Sequence, residues 1–163
     1  MFAAKLGHKV LAVEPFYDNI LRIHKGSYME KIYNNIVLIQ NAISDKRNEI
    51  KSLFKLPIAI GAQSLIPNKE FSETYPIEKN ESHKYLVETI LFDDIVPYLS
   101  NKENKLKKGL LKIDIEGYEP YAFQNANLLF NTIDIQIIFM EWNYMATRAP
   151  LLGSEYVKNT FFN

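Results

Sequence analysis

Asp114, Glu116 and Glu119 stand within one short stretch, Lys112-Ile113-Asp114-Ile115-Glu116-Gly117-Tyr118-Glu119-Pro120. The apolar residues before and among them, Leu110, Leu111, Ile113 and Ile115, read as a buried strand that stops at Gly117, with a helical stretch after it. Such a strand delivers its carboxylates to its carboxyl end, where open α/β sheets bind their ligands. An unpaired buried carboxylate is costly or takes up a proton, so these groups call for cations, donors or water. The chemistry open to them is general-base work on a hydroxyl, or electrostatic support of a cationic group. The alternative is structural: Asp114 and Glu116 would then cap the following helix and bind its free amides.

Further polar residues fall at the ends of other apolar runs. Lys9 to Val13 reads as a short strand closed by Glu14-Pro15; Pro15 cannot extend a ladder, so Glu14 is left at the tip. An acid at the second strand tip of a Rossmann-like unit commonly takes the two hydroxyls of an adenosine ribose. Ile36 to Ile43 is the next strand, and Asn41, Ser44 and Asp45 near its end suit an adenine or ribose, or else an Asx and Ser turn. A last apolar strand, Ile135 to Met140, ends in Glu141-Trp142-Asn143.

Helices and an insert must position these tips. Phe2 to Leu6 looks like the end of a helix with Gly7 as its C′ residue, and Phe16 to about Tyr33 has helical apolar spacing, with Gly26 as a point of bending or division. Glu49 to Leu56 suggests an antiparallel insert, either a hairpin with Val87 to Leu91 or one with a strand between them. Between them the loop-rich Pro57 to Lys84 includes Gly61 to Leu65, a candidate loop over a pocket. Phe92 to Leu99 reads as a short amphipathic helix capped by Asp93 or Asp94, and Tyr118 to Ala126 as a helix with Pro120 in its first turn. Gly153 to Phe162 is a candidate final helix capped by Ser154. The expectation is a single domain over residues 1–163, with residues 47–91 as an insert and loop-rich segment.

Composition excludes several classes. Nineteen basic side chains balance nineteen acidic ones, so no overall field attracts nucleic acid or an anionic membrane, and the run Lys102 to Lys108 reads as a wet loop. Cysteine is absent, which removes disulfides, thiolate catalysis and zinc ribbons. His24 has no partner at metal-binding spacing, and no metal ligands are assigned. No stretch approaches the ~20 apolar residues of a membrane span, so the chain reads as soluble as written, with its compartment and oligomeric state open.

Ala3-Ala4-Lys5-Leu6-Gly7-His8-Lys9-Val10-Leu11-Ala12-Val13-Glu14-Pro15, Asn41-Ala42-Ile43-Ser44-Asp45, Lys112-Ile113-Asp114-Ile115-Glu116-Gly117-Tyr118-Glu119 and Phe139-Met140-Glu141-Trp142, in that order, resemble the FkbM-type methyltransferases, a class I family dependent on S-adenosylmethionine. The resemblance covers Phe2 to about Asn143. It implies an α/β, Rossmann-like class I sheet with a β insert. It also implies that Glu14 binds the donor's ribose hydroxyls, that Asn41 and Ala42 lie by its adenine, and that Asp114 faces the methionine end or the reacting methyl. Family members are associated with O-methylation of hydroxyls on sugars and natural products, so a small-molecule acceptor is implied. An acceptor hydroxyl must lose its proton, and Asp114, Glu116 and His83 are the candidate bases, Asp114 foremost.

The family's first strand and glycine-rich loop would stand before Met1. Without that strand, the strands at Lys9 to Val13 and Leu110 to Ile115 are expected either to keep two open edges or to be forced together. Titration of these 163 residues with S-adenosylmethionine is accordingly expected to show no tight binding. Two alternatives belong to other classes: a non-catalytic remnant of the fold, and a nicotinamide-dependent oxidoreductase using Glu14 on the ribose.

Overall fold

The computed structural model describes residues 1–54, 63, 65, 79–100 and 106–141. Its elements run in the order expected of an α/β chain. Helix α1 (Phe2–Lys5) ends in a left-handed Gly7 at φ 87°, whose N–H donates to the Ala4 carbonyl while that of His8 donates to Ala3. That double bond closes the helix end as a glycine at C′ allows. Strand β1 (Val10–Val13) follows, then α2 (Tyr17–Met29), which runs unbroken through Gly26. A Cβ on Gly26 would meet the far end of the flexible Met1 side chain at 2.8 Å, and the helix does not divide at this glycine.

The single strand expected over Ile36 to Ile43 is two. Strand β2 (Ile36–Ile39) pairs in parallel with β1, and β3 (Ala42–Ile43) pairs in parallel with a different strand, β5 (Leu86–Ile90). The break falls at Gln40 and Asn41, where the Asn41 side-chain amide donates to the Glu88 carbonyl at 3.0 Å. Between them β4 (Ile50–Ser52) runs antiparallel to β5, the first of the two pairings expected of the insert. Helix α3 (Ser82–Tyr85) leads into β5.

After β5, a 3-10 turn at Phe92–Ile95 passes into α4 (Val96–Leu99), and Asp94 accepts the Leu91 N–H at 2.9 Å as its cap. Strand β6 (Lys108–Ile113) is parallel to β7 (Asp134–Met140), and α5 (Glu119–Ala122), a 3-10 turn and α6 (Asn127–Thr132) cross between them. Pro120 sits at the start of α5, where its missing N–H is harmless.

The described strands form three ladders, β1–β2, β3–β5–β4 and β6–β7. Among the described residues β1 and β6 do not pair in one ladder. One apolar cluster nonetheless joins the ladders: Ile113, Ile43, Phe92, Phe123 and Leu129 are buried in it, with Leu11, Val13, Ile39, Leu111, Ile138 and Met140 packed against it. A second cluster, Phe16, Ala42, Leu53, Tyr85 and Val87, lies on the other face of β3–β5, because successive strand residues point to opposite sides. Of Gly61 to Leu65 only Gln63 and Leu65 are described, and Leu65 packs against this second cluster. Lys102 to Lys105, Trp142, Asn143 and the candidate helix at Gly153 to Phe162 lie outside the described residues.

Candidate functional site

Two parallel neighbours, β6 and β7, end side by side, and their carboxyl ends carry Asp114, Glu116 and Glu141. One carboxylate oxygen of each lies within 4.8 Å of the others. Three negative groups so close repel one another unless a cation, a proton or donors stand among them. Asp114 has one answer in hand, the Lys112 ammonium at 2.8 Å, but both side chains are largely exposed and water screens the pair. The same three oxygens are the hard donors a divalent cation takes, although spacing alone assigned no metal ligands in the sequence.

The turn that aims these acids is bent by its own residues. Glu116 and Gly117 are both left-handed, at φ 56° and 91°. Glycine adopts that conformation freely, whereas a glutamate does so at a cost, and such residues concentrate where function over-determines the backbone. Glu119 supplies the restraint. It is 1% exposed, and its Oε1 accepts the Ile115 N–H at 2.9 Å, closing the turn from beneath. Its Oε2 has no hydrogen-bond partner among the described residues. Burial pushes the Glu119 carboxyl above its ordinary range; the turn's amides pull it down and the Asp114 charge raises it further. Sequence reasoning counted Glu119 among the acids but did not separate its part from theirs. The signal was its place one residue before Pro120, inside the first turn of a buried helix.

Glu14 stands at the tip of β1 as expected, with its N–H still bonded to the Ile39 carbonyl at 3.0 Å. Its side chain turns toward the start of α2, where Oε1 accepts the Phe16 N–H at 2.8 Å. Burial raises its pKa, opposed by that bond and by the Asn19 side chain. Asn41 is half-buried with its amide donated to Glu88, and Ala42 is 4% exposed with its methyl in the second cluster, so backbone is what Ala42 presents. Ser44 is fully buried and donates to Asp45 Oδ1 at 3.1 Å, while the Asp45 carbonyl accepts from Asn125 at 3.0 Å, which is turn chemistry. His83 lies exposed on α3 with its ring edge-on to Tyr17, 5.5 Å between centroids.

One group at this end of the molecule went unread in the sequence. Lys51 of β4 donates to the Tyr118 hydroxyl at 2.7 Å and pairs with Glu49 at 3.3 Å. Burial works against its ammonium, but the bonds to Tyr118 and Glu49 outweigh that and leave its pKa raised. Its signal was phase: Lys51 is two residues from Leu53, and so on the strand's inner side.

Compared with known families, the chain matches the model described as the methyltransferase FkbM domain over residues 1–155. The chain belongs to the FkbM methyltransferase family. Comparison with curated proteins and with solved structures gives no match. The FkbM domain thus spans every described element, from α1 to β7, and the acid-bearing ends of β6 and β7 lie inside it.

Proposed function

We propose that this FkbM-family chain is an S-adenosylmethionine-dependent O-methyltransferase acting on a hydroxyl of a sugar or other small molecule, built on a Rossmann-like class I sheet with residues 47–91, which hold β4 and β5, as its insert. The observation that carries this reading is the convergence of Asp114, Glu116 and Glu141 from two strand ends. When bound, the donor supplies a methyl group activated on a cationic sulfur. The residues present suit such a group, since three clustered carboxylates favour a cation and a half-buried Glu14 accepts hydrogen bonds from vicinal hydroxyls.

In this reading Glu14 takes the ribose, Asn41 and the Ala42 backbone lie along the adenine, and Asp114 faces the reacting end. Asp114 is the exposed member of the acid cluster and its partner among the described residues is the exposed Lys112, so it can receive the acceptor hydroxyl's proton. Glu116 holds negative charge beside it and orients the acceptor. The rest of the rate comes from alignment, the hydroxyl oxygen being held in line behind the methyl carbon. The matched family lends the nicotinamide alternative no support.

The test is methyl transfer from labelled donor at saturating concentration to a panel of hydroxylated sugars and natural products, with Asp114→Asn beside the unaltered chain. Loss of a general base lowers turnover by about a hundredfold or more while the fold is kept. Equal turnover in the variant would remove Asp114 from the chemistry.

A further inference from the structure

Strand β4 carries its polarity inside out. Ile50 faces solvent at 66% exposure, while Lys51 faces inward, in phase with the buried Leu53 and paired across the ladder with the buried Val87. Hydrophobic burial favours the reverse arrangement. An inward charge does discourage an edge strand from pairing with other chains, but that purpose needs a charge and no particular partners. Lys51 has particular partners: Tyr118 Oη at 2.7 Å, Glu49 Oε2 at 3.3 Å, Ser44 Oγ at 3.5 Å, and the Tyr118 ring with its centroid 5.0 Å away.

Two properties follow from that geometry. Glu49 lies against the Lys51 ammonium and offsets part of its charge, its other oxygen facing the exposed Lys46 at 3.8 Å. The Tyr118 oxygen accepts from Lys51 and therefore directs its own proton elsewhere, and no acceptor for that proton is found among the described residues. Tyr121 stacks on Tyr118, centroids 4.6 Å apart and rings 29° from parallel; Tyr118 is buried at 8% exposure and Tyr121 half-buried, so Tyr121 is the aromatic neighbour that reaches solvent. Tyr118 is two residues beyond Glu116 on the turn that carries the acids.

A donor hydroxyl, a lysine held by an acid and an aromatic neighbour are the equipment that holds a polyhydroxylated ligand. We propose that Lys51 and Tyr118 form a hydrogen-bonding subsite for a sugar or polyol beside the acid turn, with Tyr118 donating to a ligand oxygen and Lys51 fixing the phenol's orientation. The choice of ligand class rests on the reading of the protein as a methyltransferase of hydroxyls. In that setting the pair selects which hydroxyl is brought to Asp114.

Saturation-transfer NMR with methyl α-D-glucopyranoside as the probe tests the subsite without requiring turnover. Tyr118→Phe keeps the ring and Lys51→Met keeps the stem; each is expected to weaken probe binding by about tenfold, the worth of one lost hydrogen bond, and Lys51→Arg to recover part of it. Circular dichroism identifies which variants are folded, and either folded variant decides. Absence of saturation transfer in the unaltered chain, or unchanged affinity in a folded variant, overturns the proposal. A parallel methyl-transfer assay at saturating S-adenosylmethionine separates the two readings. Tyr118-dependent probe binding without transfer to any acceptor keeps the subsite and sinks the methyltransferase, and transfer without Tyr118-dependent probe binding does the opposite.

Discussion

Among single residues, Glu119 shows how a carboxylate can serve a site without touching its ligand. It is buried under the turn that presents Asp114 and Glu116, and the Ile115 amide depends on it. Glu119→Ala leaves that N–H unsatisfied and opens a void, and is expected to cost about 2–4 kcal/mol in urea unfolding. Glu119→Gln keeps the acceptor oxygen and is expected to cost clearly less. The pH dependence has a definite sign. Because burial raises the folded-state pKa, the folded chain holds a proton more tightly than the unfolded one. The resulting stability is full below the unfolded value of about 4.3 and is lost as pH rises through the folded value. Melting temperatures of Glu119→Gln across that window are expected to lack this fall. The acidic word around Gly117 was legible in the sequence, but which acid faces outward and which holds the turn was not. Both kinds of residue are the same letter, and only burial tells them apart.

At the scale of elements, an ion pair ties the start of the insert to the 3-10 turn after β5. Arg47 forks onto Asp94, with Nε 2.9 Å from each oxygen and Nη2 at 2.7 Å from Oδ1, while Asp94 also caps the Leu91 amide. The Arg47 guanidinium, first among the causes, holds the Asp94 carboxyl below its usual range. A depressed carboxylate contributes stability above its unfolded value of about 3.9, and that contribution is lost as pH falls through the folded value. Arg47→Met is therefore expected to melt slightly lower at neutral pH, water screening so exposed a pair, and to converge with the unaltered chain well below pH ~4. The antiparallel insert itself was readable from the alternation around Glu49 to Leu56. The division of Ile36 to Ile43 into two strands was not, because the apolar run continues across Asn41 while the ladder partner changes from β1 to β5.

For the molecule as a whole, what unites three separate ladders is the cluster around Phe123, which is 2% exposed and packs against Phe92 and Phe130 with centroids 5.5 Å and 6.2 Å away. Phe123→Ala is expected to cost about 3–5 kcal/mol in chemical unfolding, with loss of cooperativity between ladders if this cluster is their main connection. A variant that unfolds as sharply and as late as the unaltered chain would show that the ladders are held by other contacts. The described helices are each too short or too polar to cross a membrane.

The alternation of strands and helices along most of the described chain, the tips at Glu14, Asp114 and Glu141, and the FkbM resemblance were contained in the amino-acid sequence, since apolar runs, proline and glycine act over a few residues. Tertiary structure alone decided which carboxylates meet, that Glu14 leans on its own helix, and that Lys51 reaches Tyr118. Those are contacts between residues far apart along the chain, or choices between equivalent letters, and no local pattern records them.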